Sequence, residues 1–462
     1  MTIHRMLVAN RGEIAVRIIR ACREMGIETV LAHSEADREA LPAQLADYTV
    51  CIGPPPSEKS YLNIPNVVSA ALISGCDGLH PGYGFLAENA YLAEVCDHCG
   101  IVFVGPPPRA IDAFSNKVQA RRQMAKAGLP VVPGSDDVLP NMEAARAAAA
   151  AIGFPVMLKA AAGGGGRGMR VASSDEDLVR AYALAQAEAQ ASFGNGDIYV
   201  ERLIGNAKHI EVQLAGDRYG GMVHLGERDC SLQRRHQKLL EECPSPAMRP
   251  HQRHDLCTAA VQGALHAGYE SLGTMEFLLS SDGQFYFLEM NTRLQVEHPV
   301  TEMVFGVDLV KLQINLAQGE RLPFSQQDLV MRGHAIECRI VAEDPDRDFA
   351  PEFGAIEQFR APGGPGVRID SHLYAGYVPP PYYDSLLAKI ITWGDDRQEA
   401  IARMERALHE TQVTGPATNL GYHLAVLGDV MFRSGATHTQ WDLGHAVAPS
   451  LGSPAVSTGS GA

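Results

Sequence analysis

Two strand-like segments joined by Asp282-Gly283 place the strongest local constraint on the fold of this chain. Residues 274–280 and 285–290 are both rich in apolar and β-forming side chains. An Asp-Gly pair between two such segments is typical of a two-residue β-hairpin turn. Closing the turn at this point pairs Ser281 with Gln284 and fixes the register of everything farther from the turn.

Counting outward from that turn places Glu276 directly opposite Glu289, with Asn291 one step along the same face. Facing carboxylates repel each other and destabilise a sheet. A divalent cation held by oxygen ligands is the simplest explanation, and magnesium bound together with ATP phosphates takes one or two protein carboxylates. A solvated acidic pair is the alternative. The hairpin therefore predicts a metal site formed by Glu276, Glu289 and Asn291.

The second half of this hairpin leads into an alternating sequence that ends at His298. In an extended chain, side chains two residues apart share one face. An extended segment would thus align Glu289, Asn291, Arg293, Gln295 and Glu297 on one face and leave apolar residues on the other. A surface strand shows the same alternation, so the pattern alone does not distinguish a site from a solvated edge.

Length and composition describe an ordinary globular protein. The chain has 462 residues, enough for two or three domains, and a net charge of −15 that argues against non-specific nucleic-acid binding. It contains no apolar run near the length of roughly 20 residues that a bilayer span needs and no secretory signal, so we expect a cytoplasmic protein. Nine cysteines suggest reduced thiols, and the pair Cys96 and Cys99 is interpreted as structural.

The N-terminal region predicts a doubly wound α/β domain. A strand at 6–10, a helix opening at 11–13 and a strand at 29–33 form a right-handed parallel unit. The glycine-rich segment 80–85 is either a binding edge at the strand ends or a simple turn. Three prolines at 106–108 end the domain.

A glycine-rich loop dominates the next region, which begins on a helix at Lys117. Residues 163–168 contain Gly-x-Gly-x-x-Gly, but a dinucleotide site needs a helix directly after the loop, and residues 169–172 are strand-like. The loop is not a Walker loop either. We interpret it as a hairpin lid whose N–H groups close over phosphates, next to Lys159, with a plain flexible linker as the alternative.

Polar side chains fill the strands that follow. His209, Glu211 and Gln213 share one face of a strand, a pattern that is also common on solvated surfaces. Residues 227–238 form a dense polar run, which is either a solvated loop or a cluster of cations around a polyanion. Beyond Arg332 shorter strands and two helices predict a mixed sheet-and-helix region.

These features together resemble the ATP-grasp superfamily, and specifically the biotin carboxylases. The motifs are Ala-Asn-Arg-Gly-Glu-Ile-Ala at 9–15, His-Pro-Gly-Tyr-Gly-Phe-Leu at 80–86, Gly-Gly-Gly-Gly-Arg-Gly-Met-Arg at 163–170, the run at 227–238, and Glu-Met-Asn-Thr-Arg-Leu-Gln-Val-Glu-His-Pro at 289–299. The similarity covers about residues 4–447. It implies an α/β and α+β architecture with a doubly wound (Rossmann-like) N-terminal domain at 1–115, an ATP-grasp domain at 116–332 with a mobile lid at about 131–203, a C-terminal mixed sheet-and-helix domain at 333–447, and a disordered tail at 448–462.

The resemblance also implies residue roles. The ATP contacts would be Lys117, Lys159, Gly163, Gly164, Gly165, Gly166, Glu201, His209, Gln233, His236, Glu276 and Glu289. Glu276, Glu289 and Asn291 would bind Mg2+, with Mn2+ as a substitute. Bicarbonate would contact Lys238, Arg293 and the backbone of Gln295 and Val296. The catalytic set would be Glu297, Arg293, Arg339 and Lys238.

In the chemistry that the resemblance implies, Glu297 deprotonates bicarbonate, which attacks the γ-phosphate of ATP to give carboxyphosphate. This intermediate splits to CO2 and phosphate, phosphate takes the ureido proton of biotin, and Arg339 stabilises the resulting enolate. Glu297 makes a usable base for bicarbonate only if its surroundings tune its proton affinity, whereas the neighbouring Arg293 would favour its ionised form. The sequence does not decide which influence prevails.

The expected partners are a biotin carboxyl carrier protein, a carboxyltransferase subunit and a second copy of the chain in a homodimer. No Met-Lys-Met biotin acceptor occurs in the sequence, which predicts a stand-alone subunit. Pro365 occupies a turn where the bacterial relatives are expected to carry an aromatic residue, so the strength of the dimer is open. The final acceptor is expected to be acetyl-CoA, in fatty acid synthesis, with propionyl-CoA, pyruvate or urea as alternatives. Another ATP-grasp ligase or a silent nucleotide-binding regulator would be the rival functions.

Overall fold

The computed structural model describes residues 2–162 and 168–443. The glycines at 163–166 and the tail at 448–462, both named in the sequence predictions, lie outside the described residues. Among the residues that are described, no helix combines the length and the apolar character needed to cross a bilayer.

The N-terminal region is a parallel five-stranded sheet in the order β3-β2-β1-β4-β5, as the doubly wound prediction requires. Alternate residues of the central strand pack on opposite sides: Met6 and Val8 join the core around the first helix, and Leu7 joins the core on the other side. The elements are β1 (Arg5–Val8), α1 (Gly12–Glu24), β2 (Glu28–Ser34), α2 (Leu41–Leu45), β3 (Tyr48–Gly53), α3 (Ile64–Ile73), β4 (Gly78–His80), α4 (Ala90–His98), β5 (Val102–Phe103) and α5 (Pro108–Ser115).

Strand order reverses between β1 and β4, so the loops after these two strands meet at the carboxyl edge of the sheet. Asn10, after β1, donates its side-chain amide to the carbonyls of Pro81 and Tyr83, after β4, at 2.7 Å each. Gly82 has φ of +63°, and a Cβ there would lie 2.9 Å from the Asn10 amide nitrogen. Glycine is therefore required for this close approach, and Tyr83, Gly84 and Phe85 of the same segment line a cavity at this edge.

A small antiparallel sheet, β7-β6-β8, follows and is covered by two alanine-rich helices. Its β6 and β7 pair directly and flank the glycine-rich segment. The hairpin prediction is confirmed in that a strand, rather than the helix of a dinucleotide site, follows the loop. The elements are α6 (Lys117–Lys126), α7 (Met142–Ile152), β6 (Val156–Ala160), β7 (Arg170–Ala172), α8 (Asp175–Phe193) and β8 (Ile198–Arg202).

One antiparallel sheet of eight strands, in the order β13-β12-β9-β10-β11-β14-β19-β18, runs through the rest of the molecule. Its first part contains β9 (Lys208–Gly216), β10 (Met222–Arg234), β11 (Gln237–Cys243), α9 (Pro250–His266), β12 (Ser271–Leu279), β13 (Phe285–Asn291), α10 (His298–Phe305) and α11 (Leu309–Gln318). The C-terminal elements are β14 (His334–Val341), β15 (Glu343–Asp344), β16 (Ala350–Pro351), β17 (Gln358–Arg360), β18 (Val367–Ser371), β19 (Leu386–Gly394), α12 (Arg397–Glu410), β20 (Gln412–Thr414), α13 (Leu420–Gly428) and α14 (Val430–Arg433).

The β12-β13 hairpin has the predicted pairing of Glu276 with Glu289, but its turn differs from the predicted one. The turn is longer than two residues: Leu279 pairs with Phe285, and the predicted pairing of Ser281 with Gln284 is wrong. This register alone would set Glu276 opposite Leu288. A β-bulge next to Glu276 adds one residue on the second strand and brings Glu289 opposite Glu276.

The extended conformation does not continue to the end of the alternating segment. Strand β13 stops at Asn291, and residues 292–297 form an irregular connection to α10, which we call the 292–297 turn. The prediction of one continuous polar face is therefore wrong. Glu297 directly precedes α10 and is fully buried, whereas a strand-edge position would have left it accessible.

Candidate functional site

A cavity of about 670 Å³ lies where the carboxyl edge of the N-terminal sheet faces the eight-stranded sheet. The carboxylates of the predicted metal-binding hairpin and the predicted catalytic residue Arg339 of the C-terminal region both line this cavity. The predicted residues on the cavity wall are Lys117, Lys159, His209, Gln233, His236, Lys238, Glu276, Glu289, Asn291, Arg293, Gln295, Val296 and Arg339. Glu201 and Glu297 lie behind the wall, each in contact with a cation that forms it.

Lys238, in β11, connects the carboxylates at the centre of the site. Its ammonium donates hydrogen bonds to Glu211 at 2.6 Å, to Glu276 at 3.1 Å and to Glu297 at 2.6 Å. Burial alone would lower the pKa of Lys238, but the three carboxylates raise it well above its usual value. The ammonium therefore stays charged next to any phosphate that enters the cavity.

Glu297 is held between two cations. One carboxylate oxygen accepts from Lys238, and the other accepts from Arg339 at 3.0 Å. Burial would raise the pKa of Glu297, but Lys238, Arg339 and Arg228 together hold it well below its usual range. The ionised form of Glu297 therefore prevails, and the cations that contact it are Lys238 and Arg339 rather than Arg293.

Arg339 projects from β14 toward both Glu297 and Glu241. It donates to Glu241 at 2.6 Å, and Glu241 lies directly across from Glu337 on the neighbouring strand. Burial raises the pKa of Glu241 to about 7 against the opposing effect of Arg339, and burial likewise raises the pKa of Glu337 well above its usual value. Two facing glutamates are tolerated here because at least one of them keeps its proton.

Replacing Glu241 by glutamine is expected to change how stability depends on pH. Between about pH 4.5 and about pH 7 the folded chain keeps a Glu241 proton that the unfolded chain has released, so this group lowers stability as pH rises. Glutamine removes that dependence. The melting temperature of Glu241→Gln, relative to the unaltered chain, should therefore rise progressively across this interval.

Glu242→Gln is the matched control for that experiment. Glu242 is equally buried, and burial would raise its pKa, but His334 and Arg397 hold the pKa below its usual value. Its side chain is ionised in both folded and unfolded chains above about pH 5, so its relative melting temperature should stay flat there. A flat profile for Glu241→Gln would contradict the protonated state of Glu241.

Arg228 and Glu211 form an ionic base beneath the site that the sequence did not identify. Arg228 is fully buried and donates to Glu211 at 2.5 Å, to Gln213 at 2.8 Å and to Thr301 at 2.9 Å. The second carboxylate oxygen of Glu211 accepts a hydrogen bond from Lys238. Within the 227–238 run the interpretation as a solvated loop is wrong, because the run forms β10, the start of β11 and the short turn between them.

The hairpin carboxylates carry the oxygen atoms that a hard cation needs. Glu276 is contacted by His209 at 3.1 Å and by the Asn291 amide at 2.8 Å, while Glu289 pairs with Lys117 at 2.5 Å. Burial would raise the pKa of Glu276, but Lys238 and His209 depress it strongly. Two carboxylates and an amide oxygen fit Mg2+ or Mn2+, which prefer oxygen ligands.

Four of the remaining predicted nucleotide residues come from the small three-stranded sheet and from strands β9 and β10 of the eight-stranded sheet. Lys159 pairs with Glu201 at 2.5 Å, and Arg121 holds the other oxygen of that glutamate at 3.1 Å. The imidazole of His209 is 3.1 Å from the Gln233 amide. Glu201 thus orients a cavity lysine rather than facing the cavity itself.

Arg293 extends from the 292–297 turn and is fixed on three sides. It donates to Glu88 of the N-terminal region at 2.9 Å, to Asn291 at 3.1 Å and to the Gln295 side chain at 3.1 Å. Within residues 2–162 and 168–443, the N–H groups of Gln295 and Val296 donate to no other protein group. A guanidinium beside two free N–H groups makes a binding place for a small anion.

Several cavity residues from the N-terminal region were also missed, including Glu13, Tyr83 and Glu88. Tyr83 donates a hydrogen bond to Glu13, and both lie at the switch point between β1 and β4. The glycine-rich 80–85 segment was the available signal for Tyr83. The part played by Glu13 and Glu88 depends on partners more than 200 residues away, which spacing along the chain does not reveal.

Three family models match this chain in succession. They are biotin carboxylase, N-terminal domain, over residues 2–111; carbamoyl-phosphate synthase L chain, ATP binding domain, over residues 116–325; and biotin carboxylase C-terminal domain, over residues 337–442. Together they span most of the chain.

Among curated proteins, a biotin carboxylase from Nostoc sp. is 55% identical over 441 residues, which cover 96% of this chain and 99% of that protein. Among solved structures, the biotin carboxylase domain dimer of Hydrogenobacter thermophilus 2-oxoglutarate carboxylase, in complex with MgADP, ADP and bicarbonate, is 47% identical with a TM-score of 0.93, covering 96% of this chain and 97% of that one. A Campylobacter jejuni biotin carboxylase in complex with an ATP ligand is also 47% identical with a TM-score of 0.93, covering 95% and 98%.

The match is continuous at this level of identity, and the described residues of the predicted catalytic set gather at one cavity. This chain therefore belongs to the biotin carboxylase family and is an ATP- and bicarbonate-dependent enzyme that carboxylates biotin.

Proposed function

We propose that the cavity performs this reaction with the roles predicted from the sequence, on biotin carried by a separate carrier protein, and that the final carboxyl acceptor is acetyl-CoA. The observation that carries the assignment is the position of Lys238, whose ammonium is within hydrogen-bond distance of Glu211, Glu276 and Glu297. The Lys238 ammonium thus lies between Glu276, which would bind the metal, and Glu297, which would act as the base.

ATP would lie between the lid and the hairpin. Lys117, Lys159, His209, Gln233 and His236 supply the polar and cationic contacts, and the loop at 163–166 would close over the phosphates. Glu276, Glu289 and Asn291 would hold Mg2+, which when bound neutralises phosphate charge. Phosphoryl transfer depends on such positioning and charge neutralisation more than on covalent chemistry.

Bicarbonate would bind to Arg293, Lys238 and the free N–H groups of Gln295 and Val296. Glu297 is ionised and can therefore accept a proton, although its cationic partners weaken its basicity. An anion that takes hydrogen bonds from Lys238 draws part of that positive charge away from Glu297. Arrival of bicarbonate thereby raises the proton affinity of the base at the moment when it is needed.

The deprotonated bicarbonate attacks the γ-phosphate, the bond between that phosphate and ADP breaks, and ADP leaves. The carboxyphosphate that forms breaks down to CO2 and phosphate. Phosphate then takes the proton from the ureido nitrogen of biotin. Arg339 remains charged, because burial is outweighed by Glu241 and Glu297, and it would stabilise the enolate until CO2 is captured.

Neither the cavity nor the relatives specify the acceptor. The Nostoc relative is named only as a biotin carboxylase, whereas the similar Hydrogenobacter domain belongs to a 2-oxoglutarate carboxylase. Acetyl-CoA is therefore the part of the proposal that rests on the sequence resemblance alone. We further propose a cytoplasmic homodimer that works with a carboxyltransferase partner. Pro365 is exposed in its turn, where it is available to such a contact.

The test of the proposed function is ADP release with bicarbonate in the presence and absence of free biotin. A biotin carboxylase should release ADP faster when biotin is added, and carboxybiotin should accumulate in step with ADP. Bicarbonate-dependent ADP release that ignores biotin would indicate another ATP-grasp ligase. Nucleotide binding without any ADP release would indicate a silent regulator.

A further inference from the structure

Lys389, in β19, is fully buried and belongs to none of the predicted site residues. It lies directly across from Arg339 on β14, so the two cations share one face of the eight-stranded sheet. Its ammonium donates to the carbonyl of Val296 at 2.8 Å, inside the 292–297 turn. An ammonium this deep in a protein is retained only where its hydrogen bonds and charge are matched.

Two carboxylates hold the Lys389 ammonium in place. Glu13, in the first turn of α1, is 3.1 Å away, and Asp370, directly across on β18, is 3.9 Å away. Glu13 is itself fixed by the hydroxyl of Tyr83. The lysine is thus anchored to helix α1 of the N-terminal region on one side and to strand β18 on the other, and its ammonium also reaches the 292–297 turn.

The contact with Val296 acts on Glu297 because the two residues share a peptide plane. The carbonyl of Val296 and the N–H and Cα of Glu297 are rigidly connected in that plane. The preceding plane is held separately, since the Gln295 carbonyl is 2.8 Å from the His298 ring nitrogen. Each of the two peptide units before Glu297 therefore has its own anchor.

We propose that Lys389 is a positioning residue for Glu297: through the Val296 carbonyl it fixes the backbone from which the base projects toward Lys238 and Arg339. The inference rests on the proposed role of Glu297 as the base. A displacement of about 1 Å can lower a rate by about a hundredfold, so loss of one backbone anchor is sufficient for a large effect.

The test is a double-mutant cycle between Lys389→Met and Glu297→Ala, measured as bicarbonate-dependent ADP release. Lys389→Met alone should lower kcat by about 10- to 100-fold, with the KM for ATP little changed. In the Glu297→Ala background the same substitution should change the residual rate by no more than about twofold, because its effect passes through the missing base. Equal losses in both backgrounds would overturn the proposal.

Lys208→Met is the matched control. Lys208 is also mostly buried and donates to a carbonyl, that of Thr437, at 2.6 Å, with Asp229 at 3.5 Å. It contacts no residue of the 292–297 turn. This variant should lose stability in a similar way while its kcat at saturating ATP and bicarbonate stays near that of the unaltered chain. A fall as large as that of Lys389→Met would assign both effects to general destabilisation.

Glu13→Gln keeps the test decisive if Lys389→Met does not fold. It removes one charge that holds the ammonium and leaves an amide oxygen in its place, so kcat should fall several-fold, again only when Glu297 is present. An unchanged rate in Glu13→Gln together with an unfolded Lys389→Met would overturn the proposal. An unaltered chain without biotin-stimulated ADP release would instead overturn the proposed function itself.

Discussion

Replacing Glu297 by alanine is expected to lower biotin-dependent ADP release by about 10²- to 10⁴-fold, the range that loss of a general base produces. Affinity for ATP should stay close to that of the unaltered chain. The structure gives the reason for this separation, since Glu297 contacts Lys238 and Arg339 and makes no contact with Lys117, Lys159 or Glu289.

The nearby cations should tolerate the substitution. Lys238 keeps Glu211 and Glu276 as counter-charges, and Arg339 keeps its hydrogen bonds to Glu241, so neither cation is left in the interior without a partner. Single-turnover ADP release and equilibrium ATP binding, measured on the same preparation, would separate chemistry from binding. A proportional loss of both would mean that Glu297 supports the fold of the site instead of acting as the base.

Glu242→Ala is the matched control for this experiment. Glu242 is a buried glutamate one residue from Glu241, and it pairs with Arg397 at 2.6 Å and with His334 at 2.8 Å. Its partners lie outside the cavity wall. The control should therefore lose stability while its folded fraction keeps normal turnover.

Much of the fold was predictable because its signals are local. The strand-helix-strand pattern at the N-terminus and the Asp282-Gly283 hairpin are encoded within a few residues, and both are present in the structure. The predicted pairing of Glu276 with Glu289 is confirmed, but the predicted two-residue turn does not account for it. The bulge next to Glu276 compensates for the longer turn, and a one-residue bulge leaves no clear mark in an apolar strand sequence.

The ionic base of the site could not be predicted because it is built from distant residues. Arg228 looks like one charge in a polar run, and only its contact with Glu211 and Thr301 makes it interior. Lys389 is a single lysine in an apolar strand, and its role depends on Glu13 and Val296, which lie on other elements. Periodicity reports which face a residue occupies but not which groups oppose it.

Neutralising the hairpin carboxylates should have a comparably large effect on MgATP use. The double substitution Glu276→Gln and Glu289→Gln keeps size and hydrogen-bonding atoms but removes both negative charges. A bound metal contributes several kcal/mol to charge stabilisation in phosphoryl transfer, so kcat/KM for MgATP should fall by about 10³-fold. Because binding is governed by mass action, the midpoint of an Mg2+ titration should also move to higher concentration.

The fold should survive removal of the metal. In the structure Lys117 neutralises Glu289, while His209 and Lys238 neutralise Glu276, so the facing carboxylates are balanced by protein cations alone. A chelator should thus abolish ADP release with little change in melting temperature. Asp282→Asn, at the exposed tip of the same hairpin, is the matched control and should leave the Mg2+ titration unchanged. An unshifted Mg2+ midpoint in the double variant would show that these carboxylates serve the protein's own cations and do not bind the metal.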